Sequence, residues 1–147
     1  MNAWIKLWGK TFMNDYQQKR LTGYVLPQPV YRQALWAVKD MERLKERLAE
    51  TKKNAYAVSE RDYFGYSSAG AGRLSDKTGI SAVELTVLSQ RINASERAFA
   101  MIPDEYRDAI ADKLMRGIPY PDYAHSNTWK KWQQILVYHV AVNLQLL

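Results

Sequence analysis

The 147-residue chain contains no cysteine. That excludes disulfides, thiol catalysis and zinc sites built on cysteine, and it accords with a reducing, cytoplasmic setting. No apolar run approaches the roughly 18–20 residues that a membrane helix needs, so no membrane partner is expected. The opening MNAWIKLWGK has only a short apolar stretch, broken by Lys6, with no small-residue cleavage site after it, and is not expected to be a signal peptide. Histidine is nearly absent: His125 and His139 lack metal-ligand spacing and are expected to be structural. Neither a Gly-x-Ser-x-Gly elbow nor a His-Glu-x-x-His motif occurs. The carboxylate pairs Asp104/Glu105 and Asp108/Asp112 fall at the start or on the exposed face of a predicted helix, where charge complementation accounts for them. No enzyme activity, metal or cofactor is expected.

Acidic residues are scarce at both ends. Residues 1–27 carry four basic and one acidic side chain, and residues 28–53 carry seven and four. The stretches 54–102 and 103–147 hold five of each sign, but beyond Asp122 the charged side chains are Lys130 and Lys131. The resulting net charge of +6 suits an anionic partner such as nucleic acid. Glycine is concentrated in ERDYFGYSSAGAGRLSDKTG, residues 60–79, where no hydrophobic periodicity survives. This stretch is expected to be a flexible linker between an N-terminal helical region, residues 1–59, and a C-terminal domain, residues 80–147. Its GAGR lacks the Lys-Ser/Thr ending of a phosphate-binding loop.

What is present is helical periodicity backed by 47% hydrophobic residues, enough for a packed core. Residues 1–20 read as a short helix, ended by Gly23, Pro27 and Pro29. From Val30 to Lys52 the residues Val30, Ala34, Ala37, Val38, Met41, Leu44 and Leu48 recur at helical spacing. On the opposite face Asp40 with Arg43, Glu42 with Lys45 and Arg47 with Glu50 stand three apart, the pattern of a solvated, charge-laced helix. Leu85, Leu88, Ile92, Ser95, Phe99 and Ile102 follow a heptad seam, with Ser81 and Glu84 spaced as a capping box at its start. The seam is expected to pack on the 30–52 helix, or on a second copy in a homodimer.

IPDEYRDAIADKLMRG reads as a further helix, with Pro103 at its start, acids in the first turn, Lys113 and Arg116 in the last, and Gly117 as the stop. IPYPDYAH then makes a turn, with room for one helical turn at 121–124. Ser126 or Asn127 is placed to cap the last helix. On that helix Trp129, Trp132, Leu136 and Val140 share one face, while Asn127, Lys130, Lys131, Gln134 and Tyr138 share the other. Lysines suit phosphates or guanine edges, and Asn or Gln suits paired contacts to adenine. A helix, a turn and a helix with this polar stripe match the helix-turn-helix plan. With no ligand, the same stripe is the wet side of a bundle helix.

ASERAFAMIPDEYRDAIADKLMRG followed by HSNTWKKWQQILVYHVAVNLQLL resembles the C-terminal half of phage late-gene transcriptional regulators of the RinA/ArpU type, themselves similar to region 4 of sigma factors. The shared features are an Ile-Pro-x-Glu-Tyr-Arg helix, a turn and a basic-aromatic helix ending in Val-Ala-x-x-Leu; the likeness covers residues 75–147. It implies an all-α helical bundle with a C-terminal helix-turn-helix, preceded by a long charged helix and a Gly/Ser-rich linker. It also implies binding to double-stranded promoter DNA and contact with host RNA polymerase. Carried over by position, the DNA-binding residues are Asn127, Thr128, Lys130, Lys131 and Gln134. YPDYA leaves little room for the helix that precedes the recognition helix in sigma-type modules. Either that helix is truncated, or residues 103–116 serve as the first helix with a long turn. The rival expectation is a small helical protein-interaction module, such as a phage inhibitor or adaptor of a host protein.

Overall fold

The computed structural model describes residues 17–19, 23–63 and 71–147, and side chains within those ranges except 57–81. The described chain is an all-α bundle of five helices: α1 (Gln28–Lys39), α2 (Met41–Tyr63), α3 (Ala71–Ala100), α4 (Asp104–Arg116) and α5 (Ser126–Asn143). Two prolines open α1, where a missing N–H costs nothing. The helix expected over residues 1–20 lies outside the described residues apart from 17–19, which are not helical.

The single helix read over 30–52 is two. Asp40, at φ −89° and ψ 1°, interrupts it between α1 and α2. The two halves serve different partners. Tyr31, Ala34, Leu35 and Val38 of α1 enter the main core with α5, whereas Leu44 and Leu48 of α2 meet Leu88 and Ile92 of α3 in a smaller cluster. Arg43 Nε and Nη2 donate to Asp40 at 2.6 and 2.5 Å, and this pairing holds the Asp40 carboxyl below its usual range. The other two pairs read on that face are not formed. Glu42 instead bridges to Arg116 of α4, Lys45 to Glu96 and Arg47 to Glu84 of α3, at 3.1, 3.3 and 2.7 Å. Charges read as a solvated face thus join helices.

The stretch expected as a linker, 60–79, is helical over 60–63 and again from Ala71. Ser81 and Glu84 therefore sit inside α3 rather than capping it, and Glu84 is taken by Arg47. The heptad seam is filled within one chain, since Leu88 and Ile92 pack on α2 while Phe99 and Ile102 join the main core. That core also holds α1, so residues 28–39 and the C-terminal helices share one interior and the 60–79 stretch does not divide it.

Local chemistry sets the ends of α4. Asp104 and Glu105 occupy its first turn, Lys113 and Arg116 its last, and Gly117 at φ 70° receives the chain in the left-handed region. The end of α3 is satisfied from α4: the Arg107 guanidinium donates to the carbonyls of Phe99 and Ile102, each at 2.9 Å, and pairs with Asp104 at 2.8 Å. Phe99 lies in the last turn of α3, where carbonyls lack helical partners, and its carbonyl also accepts the Ile102 N–H at 3.0 Å; Ile102 lies just past the helix end. No helix among the described residues is long and apolar enough to cross a membrane.

Candidate nucleic-acid interface

The face singled out in the sequence is reached through the connection between α4 and α5. Residues 117–125 form no helix; 122 and 123 make a turn. The one-turn helix expected at 121–124 is therefore absent, because aromatic side chains draw this segment flat onto Trp129. The Tyr120 ring stacks on that indole at 4.9 Å with 3° between planes, while Tyr123 and Tyr106 meet it edge-on at 5.2 and 5.3 Å. Trp129, 1% exposed, donates its indole N–H to the Pro121 carbonyl at 3.0 Å. Tyr120 Oη donates to Gln133 Oε1 and Tyr123 Oη to the Glu105 carbonyl, both at 2.6 Å. Burial, with the Glu105 carboxylate second, raises the Tyr106 hydroxyl above its usual range. The turn is thus tied to both helices, fixing where α5 begins.

Neither Ser126 nor Asn127 caps α5. His125 does, its Nδ1 accepting the Asn127 N–H at 3.1 Å. An imidazole nitrogen with a free lone pair does here what a hydroxyl or carboxylate usually does. His139 packs its ring against Tyr24 and Tyr138 at 6.2 and 5.7 Å.

The five residues expected to contact DNA separate into two groups. Asn127, Lys130 and Lys131 are exposed, and Thr128 is half-buried beside them. Lys130 lines a groove of about 570 Å³ with Lys113, Tyr120, Pro121 and Asp122, the last being an acid at its rim. Lys131 holds its ammonium 5.1 Å from the centre of the Trp132 ring. Gln134 is different: it is 2% exposed and cannot reach a duplex. Its Oε1 accepts the Lys19 N–H at 2.8 Å, and its Nε2 donates to the carbonyls of Lys19 and Tyr24 at 2.7 and 3.0 Å. Residues 17–19 and 23–27 form a strap over this side of α5. Gln18 closes the strap on itself, pairing with the Leu26 N–H and carbonyl at 2.8 and 2.9 Å. Gly23, at φ 86°, supplies a left-handed turn within it. Tyr138, assigned to the open face, is half-buried against Tyr24 of the strap at 5.3 Å.

The polar stripe is therefore open over the first two turns of α5 and covered beyond them, where Gln133 to Val137 are all buried. The strap brings one residue the helical wheel could not supply: Lys19, whose Nζ donates to Asn127 Oδ1. The basic surplus of residues 1–27 was the available signal, but it carries no information on where that segment lies. No cluster of metal-ligating side chains occurs among the described residues. No protein-family model, curated protein or solved structure matches the chain.

Proposed function

We propose that the protein is a phage or prophage transcription regulator that binds promoter DNA through the first two turns of α5. In this reading α4, the tied turn and α5 act as a helix-turn-helix with a nine-residue turn, residues 117–125. The observation that carries it is the exposure of Asn127, Lys130 and Lys131 on one face, joined there by Lys19. Ammonium groups so gathered attract phosphates and release counterions on binding. The resemblance of residues 75–147 to phage late-gene regulators supports the same reading and adds host RNA polymerase as a second partner. A gel shift with the DNA flanking the protein's own gene, at physiological salt with competitor, tests it. A retarded complex is expected; no complex at physiological salt, with or without competitor, overturns the reading.

One observation favours the second reading, a protein-interaction module. Trp36 is 52% exposed on α1 beside a groove of about 410 Å³, which Gln33, Ala37, Leu44, Leu144 and Leu146 also line. Exposed tryptophans at grooves are frequent anchors of protein contacts. On this reading the purified chain shows no duplex affinity, and Trp36→Ala loses a stoichiometric protein partner.

A further inference from the structure

A lysine ammonium has three donors and no acceptor, so the atom of Asn127 that Lys19 meets is necessarily the carbonyl oxygen. The Asn127 amide nitrogen makes no hydrogen bond among the described residues, and the side chain is exposed. Its N–H groups are what it offers outward. A paired contact to adenine needs a donor for N7 and an acceptor for the N6 amino group on the same amide. The remaining lone pair of Asn127 Oδ1 lies beside a positive charge, which disfavours the approach of an amino group. Gln134, the other amide on the stripe, is buried with both of its polar atoms in use. Neither amide is left for adenine.

At 100° per residue, Asn127, Lys130, Lys131 and Gln134 span an arc of about 100° on α5, with Lys130 and Lys131 at its edges. Lys19 touches Asn127 with its side chain and Gln134 with its backbone, so it lies along the middle of that arc. We propose that Lys19 completes a composite, donor-rich surface with Asn127, Lys130 and Lys131, and that this surface takes duplex phosphates rather than adenine edges. Binding through it tolerates sequence, guanine O6 and N7 being the base atoms its donors also suit. This rests on the reading of duplex DNA as the ligand.

The test is a fluorescence-anisotropy titration of the full chain against A·T-rich and G·C-rich duplexes at several salt concentrations. It includes Lys19→Met, Lys19→Arg and Asn127→Ala. The strap is held to Gln134 by the backbone of residue 19, so the side-chain variants keep it in place, which a thermal melt verifies. Lys19→Met is expected to lower the salt slope by about one on both duplexes. Lys19→Arg should retain the slope, and Asn127→Ala should change both affinities by the same factor. An unchanged slope in Lys19→Met overturns the inference, as does a selective loss of about tenfold or more for Asn127→Ala on the A·T-rich duplex. A wild-type chain that binds neither duplex overturns the DNA reading itself, an outcome distinct from either.

Discussion

The side-chain amide of Gln134 is hydrogen-bonded to both backbone groups of Lys19, accepting its N–H at 2.8 Å and donating to its carbonyl at 2.7 Å. The two residues are 115 positions apart, and the pairing is that of one peptide unit with another. A side chain thus substitutes for a neighbouring strand and holds the strap across α5.

Gln134→Ala removes that pairing and leaves backbone groups of Lys19 and Tyr24 without partners under the strap. A loss of about 1–3 kcal/mol in unfolding free energy is expected, read by urea denaturation. Duplex affinity should fall through displacement of Lys19, so the Gln134→Ala and Lys19→Met losses should be less than additive in a double-mutant cycle.

Trp129 joins the turn to the core, and Trp129→Ala should cost about 3–5 kcal/mol, the range for emptying a large buried aromatic site. Trp129→Phe keeps much of the ring packing but loses the bond to Pro121, so it should fall between wild type and the alanine variant. Thermal melts of the three proteins measure this order.

Arg107 closes the C-terminal end of α3 through planar, multiple donation to carbonyls. Arg107→Ala should destabilise by about 1.5–3 kcal/mol, the range for hydrogen bonds from a charged group. Arg107→Lys should recover only part of this, because an ammonium lacks the guanidinium fork. Chemical denaturation of both variants gives the comparison.

Asp40 has its carboxyl held low by Arg43, so its contribution is present above the unfolded-state value of about 4 and is lost as pH falls through the native value. Asp40→Asn should therefore melt below wild type at pH 7, with the gap narrowing as pH falls below about 4. Paired melting curves from pH 7 to pH 2 report it.

Much of the bundle was legible because local rules act within single helices. Asp104, Glu105 and Gly117 marked the ends of α4, and the Leu88/Ile92 seam pointed to the helix that carries Leu44. The break at Asp40 was not legible, since periodicity continues across it and only the choice of partners on either side bends the chain. Helix α3 begins earlier than the glycines of 60–79 suggested; glycine lowers helix propensity by only about 1 kcal/mol, a bias that tertiary context overrides. At the site, the wheel placed Trp129, Leu136 and Val140 in the core and Lys130 and Lys131 in solvent. It also put Gln134 in solvent, wrongly, because the burial of that residue depends on a strap more than a hundred residues away. The Tyr106–Arg107 pair of the Ile-Pro-x-Glu-Tyr-Arg stretch packs the indoles and caps α3, so that part of the stretch reads as architecture.

In the proposed reading, the open start of α5 meets duplex phosphates. The most direct measurement is the salt dependence of duplex affinity for wild type and the Lys130→Ala/Lys131→Ala double variant, with equal folding verified by thermal melting. Weaker binding and a slope reduced by up to about two are expected in the variant. Identical affinity and slope in the two proteins would rule that contact out.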